Sequence, residues 1–490
     1  MDYPQAFVSI VVFCIYIFVG VPVWWNTTKV YRASLPNEKI NVLQNASIKL
    51  HIRLNIQSSV YEESELKEVA AIVSAESIND QVIWSVNVAI AQTNAREKYC
   101  EQYENSSELT YNIFIDQDHL NKKFIKIYCQ TTSSVIISLS EKISSSNLEQ
   151  IVRETIDDLT RNSYFLSNKS SLSYNNPMPP SSGYHITFTL AVSNPADFLP
   201  FWDIEVSINN YLKPMLQKFN FLGPFKVSSQ ILYYVDLGVN PFVGNDSFYF
   251  RESKLPQLIN PIESRLASYV NTDPILNFVI YVPPKKYSPL HIRKSKNSKV
   301  GKISSFYSPR WGGGGGIAIY NPTKVNEQIA TQDYMGVFIE QFKLLVGIKS
   351  YFTDNNEIFS RVNLLIEKTF ENLRTCLSTI SSLSKLLDKI ANIVIKDEIK
   401  ELVYVAVLNV ERSISFLRVG DIENAHLTSK EAFRCSEKAF YDSSLLALLY
   451  FPDDQKYAIY VLLILPISLP VIMSFFRAVK SFFKYQEKDV

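Results

Sequence analysis

Glycine is scarce in this chain, 14 of 490 residues, while tyrosine and phenylalanine number 28 and 30. That balance excludes a low-complexity polymer, which is poor in aromatics and cannot bury enough apolar surface to order itself. An excess of charge of either sign is equally missing: 49 basic side chains face 48 acidic ones, leaving a net charge of +1. No basic field exists for nucleic acid. Cysteines and histidines number five each, without a CxxC motif or a Cys/His cluster, so neither a metal nor another cofactor is expected. The GxSxG, HExxH and EF-hand patterns are absent as well.

The chain does possess a long apolar run at each end. From Tyr457 to Phe476 no charge interrupts it, enough for an α-helix to cross about 30 Å of hydrocarbon. Arg477, Lys480, Lys484 and Lys488 follow this run. A hydrophobic signal for lipid attachment would end the chain instead, so a retained stop-transfer helix is expected. Pro466 and Pro470 inside it call for partners that satisfy the freed carbonyls. The first run, Ala6 to Trp25, has no basic leader and closes on Trp24-Trp25, a pair suited to the headgroup layer, so it reads as an anchor and not a cleaved signal. Asp2 before it and Lys29 and Arg32 after it argue for an outward N-terminus. The larger asymmetry of the second run outweighs them and places both termini in the cytosol.

The expected division is therefore a cytosolic N-terminus (1–5), a first span (6–25), a lumenal α/β domain (26–354, with a polar linker at 167–182), a lumenal helical bundle (355–444), a juxtamembrane segment (445–456), a second span (457–476) and a basic cytosolic tail (477–490). Sequons at Asn26, Asn45, Asn105, Asn168 and Asn245 suit a lumenal loop, although Asn26 abuts the membrane. Cys100 and Cys129 flank expected strands and form either a disulfide or two buried thiols.

Between Ile48 and Asn321 strand-like runs alternate with helical ones. Strands are expected at Ser47–Ile56, Ile83–Ala91, Asn112–Ile115, Phe124–Cys129, Val135–Leu139, His185–Val192, Val227–Val235 and Leu276–Val282. Helices are expected at Leu148–Phe165 and Phe201–Phe219 and near Ile262–Tyr269. This is the pattern of a layered α/β domain whose helices cover a mixed sheet. After Asp354, Phe359, Val362, Ile366, Thr369, Leu373, Cys376, Ile380, Leu383, Leu387, Ile390 and Val394 form an unbroken three-four seam on one long helix. A second helix carries Val403, Val407, Val410, Ile414 and Leu417 and stops at Gly420. A third, Asp421–Tyr441, repeats Ala425, Ala432 and Ala439 beside His426, Phe433 and Phe440, and an antiparallel bundle is the expected result.

Candidate chemistry is thin. Gly312–Gly316 lacks the lysine and following helix of a phosphate-binding loop and reads as a turn before a strand. Arg310 and Trp311 beside it are candidate partner contacts. His426 and Cys435 lie nine residues apart on one helix, on opposite faces, and so make no catalytic pair. Leu448, Leu449 and Phe451, followed by Asp453 and Asp454, are candidates for contact with a partner or the membrane surface.

The stretches VPVWWNTTKVYRASLP (21–36), SSQILYYVDLGVNP (228–241), LPQLINPIESRL (255–266), LNFVIYVP (276–283), SPRWGG (308–313), ANIVIKDEI (391–399) and LLALLYFPDDQKYAIY (445–460) resemble the PIG-S family of endoplasmic-reticulum GPI transamidase subunits. The resemblance runs from the first span to the second. It implies a non-catalytic lumenal scaffold in a complex that transfers a preassembled GPI anchor to proprotein C-termini. The catalytic cysteine would belong to another subunit, PIG-K. PIG-T, PIG-U and the GPI-anchor-attachment subunit would be further partners, with the proprotein signal or the GPI lipid within reach. The competing class is a membrane-tethered lumenal hydrolase.

Overall fold

A computed structural model describes residues 3–28, 31–75, 82–91, 100, 109–118, 123–129, 132–160, 178–244, 247–266, 273–293, 303–309, 314–348, 357–390, 393–445 and 453–486. The chain divides into two compact units. One comprises Ser47–Arg374 and Asn409–Arg434, the other Met1–Ala46, Thr375–Leu408 and Cys435–Val490.

The larger unit contains two five-stranded sheets. In the first, β1 (Leu50–Ser58), β2 (Val82–Ile90), β3 (Thr110–Gln117), β4 (Phe124–Tyr128) and β5 (Ser134–Leu139) lie in the order β2-β1-β3-β5-β4. Neighbours are parallel except β4, an antiparallel edge on β5. There follow β6 (Tyr184–Val192), β7 (Phe201–Trp202), β8 (Phe225–Tyr233), β9 (Phe242–Val243), β10 (Phe248–Arg251), β11 (Ile275–Val282), β12 (Leu290–Arg293), β13 (Ser304–Ser308), β14 (Gly315–Ile319) and β15 (Gln328–Ile329). Five of these make the second sheet, β8-β6-β11-β14-β13, parallel except for the antiparallel edge β13. Counted within its own half, that order is 2-1-3-5-4, the order of the first sheet.

The match extends to register. Leu50 to Ser58 pairs with Val82 to Ile90 without a slip, as Tyr184 to Val192 pairs with Phe225 to Tyr233. Just past the first strand, Ser59 donates its N–H to Ile115 (3.2 Å) in one sheet and Ser193 donates to Val282 (3.1 Å) in the other. Just past the second, Ala91 donates to Ser58 (2.8 Å) and Val235 to Val192 (3.1 Å). A helix of 16 residues follows the fifth strand in each half, Ser145–Thr160 and Thr331–Val346. The larger unit is thus an internal duplication.

Sequence explains why the second sheet is covered on both sides. β11, ILNFVIYV, is buried at every position, as a central parallel strand must be. Its Leu276, Phe278, Ile280 and Val282 join one apolar cluster, with Phe338 and Phe342 of Thr331–Val346. Phe278 and Phe338 lie 5.2 Å apart between ring centroids, with Phe188 of β6 5.7 Å from Phe278. Its Val279 and Tyr281 face a second cluster with Leu258, Ile259 and Ile262, from the helix Leu255–Glu263. That strict alternation is the pleat of the strand.

The glycine run has a packing role that a turn alone does not explain. Gly315 and Gly316 are the first residues of β14. A Cβ on Gly316 would stand 1.8 Å from Oε1 of Gln341, and one on Gly314, whose φ is +107°, 2.6 Å from Cδ2 of Leu345. Bare backbone here admits the helix Thr331–Val346, whose Gln341 reaches across to donate to the Phe306 carbonyl (3.2 Å).

Several elements depart from expectation. Phe201–Trp202 is not the start of a helix but a short strand, parallel to Gln328–Ile329. The helix begins at Ile204, widens into a π-segment at Ile208–Leu212 and resumes over Lys213–Lys218. Of the helix expected near Ile262–Tyr269, residues 267–269 lie outside the described residues; a helix that was not expected occupies Leu255–Glu263, with Pro256 in its first turn and Pro261 inside it. The helices Glu63–Ala75 and Thr331–Val346 were not expected at all.

The C-terminal part is helical, with helices at Glu357–Lys389, Asp397–Val419 and Ile422–Phe440. Most of the seam is buried, including Phe359, Ile366, Leu373, Cys376, Ile380, Leu383 and Leu387. Its last two members fall outside the helix, which ends at Lys389. Burial is also wider than a single seam, taking in Asn363, Leu364, Lys368, Phe370 and Glu371. Lys368 is satisfied there by Glu371 (2.8 Å) and the Met178 carbonyl (2.8 Å), as a buried cation requires. Gly420 ends the second helix with φ +87°, a conformation glycine adopts without strain.

Candidate functional site

The smaller unit carries both ends of the chain. Its first helix runs Tyr3–Ile15, passes through a π-segment at Tyr16–Gly20 and continues over Val21–Thr28. Within it Phe7–Trp24 has a mean hydropathy of 2.5 and no buried residue, which makes it, among the described residues, the one helix apolar enough by this measure to cross a membrane. The last helix, Asp453–Gln486, spans 34 residues. It leaves Leu462, Ile467 and Phe476 largely exposed.

These two helices pack on each other. Phe13 stacks on Phe475 with ring centroids 3.9 Å apart. Ser474 donates to Ser9 at 2.9 Å, and Ala478 is fully buried. Small and hydroxyl side chains at a helix contact allow close approach and supply a hydrogen bond, worth about 0.6–2 kcal/mol in lipid.

Past the first helix the chain is fastened to the helical region of the same unit. Tyr31 donates its hydroxyl to the Asp397 carboxylate (3.0 Å). This bond and the carboxylate's charge hold the phenol's pKa above its ordinary value. Ala33 donates its N–H to the Ile395 carbonyl (3.1 Å), and Ile395 donates back to Tyr31 (3.2 Å). Arg32 donates to the Leu387 carbonyl. Asn37 accepts from Ser384 (3.0 Å) and Gln44 from Ser381 (2.9 Å). Residues between 31 and 44 and between 381 and 397, far apart in sequence, thus form one collar.

The reactive side chains are placed structurally. Cys100 and Cys129 are joined by a disulfide. Cys376 and Cys435 are buried, and burial pushes the Cys376 thiol up to about 12, the opposite of an activated nucleophile. His185 bonds Ser228 (2.7 Å), and His291 lies 3.3 Å from Ser304. Asp158 pairs with Lys126 (3.0 Å). Among the described residues no cluster suits a metal.

His426 is 2% exposed, with Nε2 bonded to the Phe221 carbonyl (3.1 Å) and Nδ1 3.4 Å from the Thr369 hydroxyl. Burial, with Lys430 and Lys368 nearby, lowers its pKa to about 4. The folded state therefore keeps it neutral where the unfolded chain, near pKa 6.5, takes up a proton. Stability is full above that value and falls as pH drops from about 6.5 toward 4, by as much as about 3 kcal/mol. Melting curves across that range should show His426→Gln losing less than the parent.

Of the remaining candidates, Asn45 is exposed at the end of the helix Asn37–Asn45, and Asp453 and Asp454 open the last helix. Asn105, Asn168, Asn245, Arg310, Trp311, Leu448, Leu449, Phe451 and His119 lie outside the described residues. The collar itself was missed from sequence, because its partners lie 337 to 366 residues apart and share no periodic signal.

A duplicated α/β unit, a helical region and a long exposed apolar helix at the N-terminus define a class of membrane-associated protein. The family model for phosphatidylinositol-glycan biosynthesis class S protein matches residues 11–485, and the chain belongs to this PIG-S family. It is 32% identical to the GPI-anchor transamidase component PIGS of Bos taurus, over 94% of this chain and 92% of that one. Identity to the Homo sapiens protein of the same name is 31%, covering 96% and 95%. The GPI transamidase component GPI17 of Saccharomyces cerevisiae is 26% identical over 95% and 90%.

Proposed function

We propose that the chain is a non-catalytic scaffold subunit of the endoplasmic-reticulum GPI transamidase, supporting transfer of a preassembled GPI anchor to proprotein C-termini. The match across residues 11–485 to a family whose relatives are named as transamidase components carries this reading. The catalytic cysteine resides in another subunit. Burial of Cys376 and Cys435 and the bond between Cys100 and Cys129 favour that assignment.

The chain crosses the membrane twice, at 6–25 and 457–476, with both termini in the cytosol and the α/β unit and an antiparallel bundle in the lumen. Packing of the first helix on the last supports two spans, since each supplies the other with a partner in lipid. A helix of 34 residues is about 51 Å long, ample for a hydrocarbon core of about 30 Å. The disulfide fits an oxidising compartment, and exposed Asn45 fits a glycosylated loop.

Purification in a gentle detergent tests the assignment. PIG-K, PIG-T, PIG-U and the GPI-anchor-attachment subunit are expected to co-purify. Recovery of the chain alone as a stable monomer would overturn the reading, and unaided turnover by that monomer would favour a membrane-tethered hydrolase.

A further inference from the structure

The second sheet ends in an open cleft at the carboxyl ends of β6, β8 and β11. From β6 the chain moves outward to β8 and then back across to β11, so the boundary between β6 and β11 is where the strand order reverses. In open α/β sheets that crevice is where small ligands sit. Here the cleft encloses about 770 Å³, the size of a site for a small molecule. Its walls are the turns after the three strands, and Asp236 to Pro241 come from the stretch 228–241.

The hydrogen bonding already made inside the cleft determines what remains on offer. Asn194 accepts from the Ala196 N–H (3.2 Å), and Asn240 accepts from the Tyr287 hydroxyl (3.1 Å). Both amide oxygens are engaged, which leaves two NH₂ groups as donors. Asp197 spends an oxygen on the Lys285 N–H (3.1 Å), and Asp236 spends one on the Gly238 N–H (3.1 Å). Lys285 and Lys286 are exposed on the wall after β11. Among the described residues neither forms an ion pair, and Lys286 lies 4.6 Å from the centre of the Tyr287 ring. One oxygen of each carboxylate is tied to backbone, while two ammonium groups and two amide NH₂ groups stay available as donors.

We propose that this cleft binds a phosphate ester, with Lys285 and Lys286 supplying charge and Asn194 and Asn240 orienting donors. Ammonium groups are effective point-charge partners for phosphate. The Tyr287 ring, held by Asn240, offers a flat wall for the group that carries the phosphate. A soluble phosphate ester and the phosphate of a lipid headgroup present the same chemistry to these residues. This assignment does not depend on membership of the transamidase.

Titration of the full-length protein in detergent with inorganic phosphate, glycerol phosphate and a short-chain phosphatidylinositol tests it. Saturable binding of at least one phosphate ester is expected, weakened about tenfold or more in the Lys285→Gln/Lys286→Gln double variant at unchanged melting temperature. Binding of glycerol phosphate identifies a soluble-ester site; binding of the phosphatidylinositol alone identifies a lipid headgroup. Absence of saturable binding for all three probes, or equal affinity in the double variant, would overturn the proposal. These titrations read the cleft alone, whereas failed co-purification would sink only the transamidase assignment.

Discussion

Leu383→Asp is expected to abolish normal accumulation of the protein and recovery of its partner chains. Leu383 is 1% exposed on the helix Glu357–Lys389, between Ser381 and Ser384, whose hydroxyls donate to Gln44 and Asn37 and hold the segment 37–44. Removing a buried leucine costs about 2–5 kcal/mol from lost burial and cavity alone. A carboxylate in its place adds the desolvation penalty of a buried charge. The sum approaches the whole stability of a typical domain, about 5–15 kcal/mol. Immunoblotting of membranes and mild-detergent pull-down read the effect, and wild-type levels of both would refute the seam's role. Leu383→Met, which conserves volume, should accumulate normally.

Gly314→Val is expected to lower stability by about 2–5 kcal/mol, the sum of two causes. A β-branched residue at φ +107° adopts a left-handed conformation that costs about 1–2 kcal/mol. Its Cβ also meets Cδ2 of Leu345, a fully buried side chain that must shift to admit it. Overpacking of that kind costs about 1–3 kcal/mol. Leu345→Ala should restore part of the loss when combined with Gly314→Val, because the second change opens the space that the first one needs. Thermal melting of the two single variants and the double variant checks this, and strictly additive losses would exclude a packing origin.

Much of the α/β unit was legible because its strands are long apolar runs. β11 has no polar interruption but Asn277, and Val135–Leu139 and His185–Val192 lie within one residue of β5 and β6. Elements whose stability comes from partners were not legible. Phe201–Trp202 is a strand only because Gln328–Ile329 lies beside it. The helix Leu255–Glu263 holds two prolines, yet proline at a first helical turn costs nothing and Leu258, Ile259 and Ile262 bury enough surface to tolerate the second. The seam on Glu357–Lys389 was clear from its spacing, yet its true end was not, since Ile390 and Val394 continue the apolar rhythm past the last helical turn. Sheet order left no trace in periodicity at all, so the duplication and the cleft it frames emerged only from the strand pairing. For the site, the lack of any Cys/His cluster was legible in the sequence, while the contacts that occupy these side chains required the fold.

The repeated architecture places two hairpins at equivalent corners, β4–β5 and β13–β14. One is riveted covalently through Cys129, while its twin is seated by bare backbone at Gly314 and Gly316. All cysteines lie outside residues 178–348. A thiol reductant therefore unfastens the first copy and leaves the second untouched, so a single polypeptide contains both the responsive element and its own reference.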